Sequence, residues 1–292
     1  MNKSMLPVLS AGIAAVIWGI WWVPIRTLEP MGLHGAWSGL VMNAGALVLA
    51  MIVLAVSRKG LVLDRRAMAG AALVGVAVST YSTALNYTDV VRAVLLFYLA
   101  PVWSKLIEWA VMKLPWHWTS SVALVAALLG AYLVLGGEVS VAALNFGDIL
   151  ALVSGVAWAA GAALIFAGGK PSALALTVVT LISTVAVTVP FALVSGWPVL
   201  GDEGARAMAV GAVFGGIYVL PIMAMTLWAA QRLSPATITF LLSAEILSGV
   251  VSGAILLDEP FGWMQGVGAA LIILAATSEV LAGLRRPVAI SR

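Results

Sequence analysis

The chain of 292 residues contains no cysteine. Disulfides, thiolate metal sites and cysteine nucleophiles are therefore excluded. Charge is scarce too: 9% of the residues are Asp, Glu, Lys or Arg, against roughly 25% in an ordinary soluble protein. Histidine is nearly missing, so a catalytic histidine would have to be His34 or His117, and both fall near predicted loops. There is no phosphate-binding glycine loop, no H-E-x-x-H and no G-x-S-x-G. An integral-membrane enzyme is the disfavoured class, and no catalytic residue, metal ligand or cofactor is expected. There is no ATPase motif either, so any uphill work must draw on a gradient, of an ion or of a substrate. No loop is large enough to hold a soluble domain.

What the chain has in abundance is apolar surface. Hydrophobic residues make up 63% and the mean hydropathy is +1.11, which places it among integral membrane proteins. Ten stretches of about 20 residues, the length that crosses a hydrocarbon core of roughly 30 Å, fall at about 5–25, 33–56, 67–87, 91–113, 118–136, 147–168, 173–194, 207–230, 235–257 and 262–283. Turn chemistry separates several of them, at Glu29-Pro30, Gly136-Gly137 and Gly168-Gly169-Lys170-Pro171. Ser234-Pro235 reads as an N-cap followed by proline at the first helical position. The first stretch lacks an A-x-A-like cleavage site before Arg26 and reads as a retained helix.

The basic residues set the orientation. With the N-terminus inside, the inner side carries Lys3, Arg58, Lys59, Arg65, Arg66, Lys113, Lys170, Arg232, Arg285, Arg286 and Arg292, and the outer side only Arg26, Arg92 and Arg206. Both termini are thus expected in the cytoplasm. A pI near 9.4 reflects these inner loops, and no nucleic acid partner is expected.

The stretch 92–116, RAVLLFYLAPVWSKLIEWAVMKLPW, organises the rest. Pro101, Lys105 and Glu108 share one helical stripe, extended by Phe97 and Met112. A charge near the bilayer centre costs roughly 2.5–3.5 kcal/mol, so Lys105 and Glu108 should face protein or a water-filled cavity. They either gate or bind a zwitterion in that cavity, or form a structural ion pair near the cytoplasmic end with the lysine snorkelling. The stripe predicts a helix lining the working cavity.

The halves repeat weakly. With Pro101 set on Glu245, residues 84–106 lie over 228–250, Ala100 falls on Ala244, and Trp18 and Trp158 take similar places. Five spans per half invert the second copy, the pattern of transporters whose site lies at the repeat interface near the midplane. The expected fold is all-α and integral to the membrane, ten helices in two inverted five-helix repeats, residues 1–140 and 141–292. Glu245 reads as a mid-span acid with Ser248, Gly249 and Ser252 on its stripe. It either takes up a proton or meets a substrate amine, or only ties helices together. Among the aromatics, Tyr81, Tyr98 and Trp158 sit deep and can line a cavity or serve helix packing. Trp37, Trp116, Trp118, Trp197 and Trp263 suit the interface. Asn43 reads as a bond between helices. Small-xxx-small pairs at Gly35/Gly39, Gly211/Gly215, Gly249/Gly253 and Gly262/Gly266 permit close helix approach.

The run AAVIWG (14–19), the stretch 84–103, FGDILALVSGVAWA (146–159), LSPATITFLLSAEI (233–246) and LLDEPFGWMQGVGAALIILA (256–275), in this order and spacing, resemble the EamA branch of the drug/metabolite transporter superfamily. The run at 243–246 is most similar to the bacterial aromatic amino-acid exporters of that branch. Where the family often has proline in both repeats, this chain has Glu245 in the second. The resemblance implies a secondary transporter of the bacterial inner membrane. It would export amino acids, aromatic and other apolar ones, and related metabolites by alternating access. The alternatives are a multidrug, organic-cation or nucleoside exporter of the same fold, and a structural or channel-like membrane protein. The expected site is Tyr81, Tyr98, Trp158 and Glu245 for substrate, with Lys105, Glu108 and Pro101 for gating or coupling. The expected partners are a small-molecule substrate and membrane lipid, with a monomer as the working state.

Overall fold

The computed structural model describes residues 5–57, 64–88, 90–135, 144–194, 196, 204–256 and 262–285. The features read at Lys3, Arg58, Lys59, Gly136-Gly137, Trp197, Arg286 and Arg292, and residues 257–261 of the run 256–275, lie outside the described residues. Among those described, nine helical stretches are long and apolar enough to cross a membrane. The shorter α7 (Trp118–Val134) makes the tenth span. Its 17 residues extend about 26 Å at about 1.5 Å each.

Six spans are single helices: α3 (Ala36–Val56), α4 (Arg65–Ala84), α7, α8 (Phe146–Ala167), α9 (Ala173–Val194) and α14 (Trp263–Arg285). The other four, read from the sequence as continuous, are divided. Span 1 is α1 (Met5–Gly19) and α2 (Trp22–Leu28), and span 4 is α5 (Val90–Phe97) and α6 (Ala100–Ala110). Span 8 is α10 (Gly204–Phe214) and α11 (Leu220–Ala230) around a π turn, Gly215–Val219. Span 9 is α12 (Pro235–Leu242) and α13 (Glu245–Leu256).

Three of these interruptions lie one turn before a proline. Pro24, Pro101 and Pro221 follow Ile20, Phe97 and Ile217 by one helical turn. A proline has no N–H to give the carbonyl four residues back, and its ring collides with that carbonyl. In span 8 the ladder widens instead, with the Leu220 N–H reaching the Gly215 carbonyl. Span 9 has no proline at its break. There the Ser243 hydroxyl donates to the Thr239 carbonyl at 3.1 Å, a bond that bends helices. Gly19 also packs onto the start of α13, so close that a Cβ on it would lie 2.2 Å from the Glu245 carbonyl oxygen.

The main contacts between spans map onto one another when the first five spans are exchanged with the second five. The third span packs on the sixth and seventh, and the eighth on the first and second. The fourth packs on the sixth, and the ninth on the first. The second and seventh, fourth and ninth, and fifth and tenth pair with each other. The same interval in sequence separates Trp18 from Trp158 and Gly75 from Gly215. Both glycines bring backbones together, Gly75 against Thr180 and Thr184 of α9, Gly215 against Met42 and Ala46 of α3. Without a hydrophobic drive between helices in lipid, such contacts carry the packing. Of the small-xxx-small pairs read from sequence, Gly211/Gly215 packs on α3 and Gly249 meets Gly19, whereas Gly39 and Gly266 would meet nothing. The mutual pairs Gly70/Gly161 and Gly130/Gly268 were not among those read from sequence.

Caps end the helices as their sequences direct. The Ser234 hydroxyl accepts the Thr237 N–H with Pro235 in the first turn, and Asn145 with Asp148 closes a capping box on α8. Large apolar side chains such as Val56, Val125 and Ile255 are exposed on the outside of the bundle, where a bilayer would cover them.

Candidate functional site

The breaks in spans 4 and 9, Tyr98-Leu99 and Ser243-Ala244, fall within one residue of each other when Pro101 is set on Glu245. Around them lies a cavity of about 330 Å³. It is walled by α1 and α2 (Trp18, Gly19, Trp21, Trp22), α4 (Val78, Tyr81), α5 and α6 (Phe97, Tyr98, Pro101), α8 (Trp158), α11 (Met223, Thr226) and α12 and α13 (Thr239, Ser243, Glu245). It extends to Leu85 and Leu135, the cap residues at the C-terminal ends of α4 and α7.

Tyr98 and Glu245 meet across the repeat interface. The Tyr98 hydroxyl donates to Glu245 Oε1 at 2.8 Å. The backbone sets this up: Tyr98 is the first residue of one break and Glu245 the first after the other. Glu245 thus opens α13, where partial positive charge of the helix end favours an anion, and is not mid-helix as its sequence position implied. Its stripe packs on span 1, with Gly249 against Gly19 and Ser252 Oγ accepting the Trp22 Nε1–H at 3.0 Å.

The aromatic lining is held by polar pins. Trp158 Nε1–H donates to Thr239 Oγ1 at 2.9 Å. The Thr239 hydroxyl spends its one proton on the Pro235 carbonyl at 2.7 Å, so it also accepts from Ser104 Oγ at 3.0 Å. Trp18 Nε1–H donates to Thr226 Oγ1 at 3.2 Å. The Tyr218 hydroxyl donates to the Ile17 carbonyl, at the end of α1. Ring contacts run Trp18–Trp21 at 5.5 Å, Trp21–Tyr218 at 5.7 Å, Tyr81–Phe97 at 4.6 Å and Phe97–Tyr98 at 5.6 Å. These distances suit tilted and edge-on aromatic packing.

Of the residues singled out from sequence, Tyr81, Tyr98, Trp158, Glu245 and Pro101 come together on this lining. Lys105 and Glu108 do not; they lie further along α6, outside it. Lys105 Nζ is 3.1 Å from Glu108 Oε2 and 3.4 Å from Glu279 Oε1. Glu108 Oε1 accepts the Ala236 N–H near the start of α12 at 2.8 Å, and Glu279 Oε2 accepts the Ser120 hydroxyl at 3.2 Å. This cluster joins α6, α7, α12 and α14. Lys105 is 5% exposed and Glu108 2%, so the lysine is paired inside the bundle and does not snorkel. Met112 leaves the stripe because α6 ends at Ala110 and the chain turns at Lys113, whose φ is 58°.

Sequence reasoning missed Glu279, an acid inside an apolar span, and Thr226, Thr239 and Ser243, whose hydroxyls look ordinary until their partners are known. Arg92, read as an outer-side residue, lies in α5 with its guanidinium 2.7 Å from Asp148. Asp148 also accepts from Thr88 at 2.8 Å. Asn43 bonds the Gly39 carbonyl of its own helix at 2.8 Å and not a neighbour. No group of three or more metal-ligating side chains occurs among the described residues.

The family model described as the EamA-like transporter family matches the sequence twice, over residues 5–136 and 145–278. No protein among the curated ones matches. A solved structure described only as "Crystal structure of protein" superposes with a TM-score of 0.70, covering 99% of this chain and 100% of its own, at 17% identity. At that identity the likeness is one of fold.

Proposed function

The chain belongs to the EamA-like transporter family, and from that premise we propose that it is a secondary transporter exporting a small organic metabolite across the bacterial inner membrane by alternating access. The observation that carries the reading is the aromatic cavity at the paired breaks of spans 4 and 9, bridged by Tyr98 and Glu245. Broken helices meeting at a repeat interface are where such folds hold their substrates. Tyr81, Tyr98, Trp158 and Glu245 are the substrate contacts. An apolar or aromatic body of amino-acid size suits the lining.

Pro101 marks the hinge of span 4. The Lys105–Glu108 pair with Glu279 is the contact that closes the opposite end of α6, and its opening is the gating step. The excess of basic residues on the inner loops supports cytoplasmic termini. In that orientation Leu85 and Leu135 mark the outer side, and the cavity reaches them. The two repeats divide at 140/141, between the two family matches, and a monomer holds the whole cavity.

The test is counterflow in proteoliposomes with purified protein and a panel of amino acids, organic cations and nucleosides. Saturable exchange of at least one solute is expected, slowed by Trp158→Ala in protein that still folds. Absence of exchange above protein-free liposomes for every solute overturns the proposal.

A further inference from the structure

The charge carried by the cavity wall limits what can occupy it. Resting on the transporter reading, we infer that this cavity takes a small organic monocation, an ammonium on a flat apolar body, and discriminates against the matching zwitterion.

Among the described lining residues Glu245 carries the only carboxyl group, and there is no lysine, arginine or histidine. The ion pairs formed among the described residues join Arg92 to Asp148 and Lys105 to Glu108 and Glu279; none reaches Glu245. Its carboxyl group meets a neutral donor, the Tyr98 hydroxyl. An acid in a low-dielectric site with no cation opposite it draws in positive charge. The walls are also rich in aromatic rings, Trp18, Trp21, Tyr81 and Phe97 among them, and a ring face attracts an ammonium. At about 330 Å³ the space is at the small end of ligand cavities, which run to roughly 1,000 Å³.

A zwitterion brings a carboxylate as well, and the wall has nothing charged to receive it. Backbone N–H groups at a helix start can bind anions, and besides the seven-residue α2 two longer helices, α6 and α13, start at this cavity. Of the first-turn donors of α6 and α13, five are already used. The Val102 and Trp103 N–H groups bond the Leu99 carbonyl, and Pro101 has none. The Ile246 N–H bonds the Ser243 carbonyl, and those of Leu247 and Ser248 bond that of Ala244. Arg26, the cation seen against a lining ring, is exposed and sits 5.4 Å from the ring centre of Trp22. A substrate carboxylate would therefore be desolvated beside another carboxyl group, that of Glu245, with no cation to pair with.

The experiment is titration calorimetry on the purified full chain in detergent, with three probes that share one phenyl ring. They are 2-phenylethylamine (cation), phenylalanine (zwitterion) and 3-phenylpropionate (anion). The expected result is that 2-phenylethylamine binds at least about tenfold more tightly than phenylalanine, that 3-phenylpropionate does not bind, and that Glu245→Gln abolishes the preference. Equal or tighter binding of phenylalanine overturns the inference, as does failure of the cation to bind. The wild-type ratio decides the matter even where Glu245→Gln does not fold. Counterflow separates the two levels: exchange of phenylalanine without 2-phenylethylamine sinks the monocation inference and leaves the transporter reading intact, whereas no exchange of any solute sinks that reading.

Discussion

Replacing Lys105 by methionine keeps the volume and stem of the side chain and removes one positive charge from between two carboxylates. At 3.1 Å from Glu108 and 3.4 Å from Glu279, the ammonium is the only cation in that cluster among the described residues. The attraction to the nearer carboxylate is about 5 kcal/mol at an effective dielectric constant of about 20. The cost of burying the charges offsets part of it. Removing one partner of a buried pair, however, strands the other and costs about 3–5 kcal/mol. Here it leaves two facing carboxylates, so the cost belongs at the upper end. In a thermal-stability assay on detergent-solubilised protein, Lys105→Met should lower the apparent Tm by about 5–15 °C. Glu279→Gln keeps a one-to-one pair and the Ser120 bond, and should stay within about 1 kcal/mol of wild type. The triple change Lys105→Met, Glu108→Gln, Glu279→Gln removes the stranded charge and leaves an acceptor for the Ala236 N–H. It should recover most of the loss. Lys105→Met melting like wild type, or a triple variant no better than the single one, would refute the reasoning.

Other outcomes follow from single contacts. Gly215→Ala would place a Cβ 2.0 Å from the Met42 carbonyl oxygen; because the obstacle is backbone, spans 2 and 8 must separate, and folded yield on size exclusion should fall severely. Asp64 caps α4 by accepting the Ala67 N–H at 2.8 Å, and that bond holds its carboxyl below the usual carboxylate range. A lowered folded-state pKa means a contribution present above the unfolded value and lost as pH falls through the folded one. Asp64→Asn should therefore flatten the acid side of the stability profile, and an unchanged profile would remove the cap from the account. Accessibility labels placed after Arg26 and after Arg286 should report opposite faces of the membrane; the same face would refute the ten-span count.

The span positions were legible in the sequence because crossing a bilayer is a local demand, about 20 apolar residues at a time. The Ser234-Pro235 cap was legible for the same reason: its donor and acceptor lie three residues apart. Pro24, Pro101 and Pro221 marked three candidate interruptions, since the clash with the preceding turn is covalent geometry; Pro190 inside the unbroken α9 shows that packing decides whether a helix divides there. The break at Ser243-Ala244 has no proline to announce it; a serine bonding back to Thr239 and the approach of Gly19 from the other repeat accompany it. The composition of the cavity was partly visible, in Tyr81, Tyr98, Trp158 and Glu245, as polar and aromatic groups in the wrong solvent. Which of them meet was not visible. In lipid every apolar helix face looks alike, and small residues and buried hydrogen bonds choose the neighbours. Only the tertiary structure decided that Tyr98 faces Glu245, that Trp158 rests on Thr239, and that Lys105 lies outside the cavity with Glu279 as its second partner. Those pairings join residues far apart in the chain, so their energy has no local trace in the sequence.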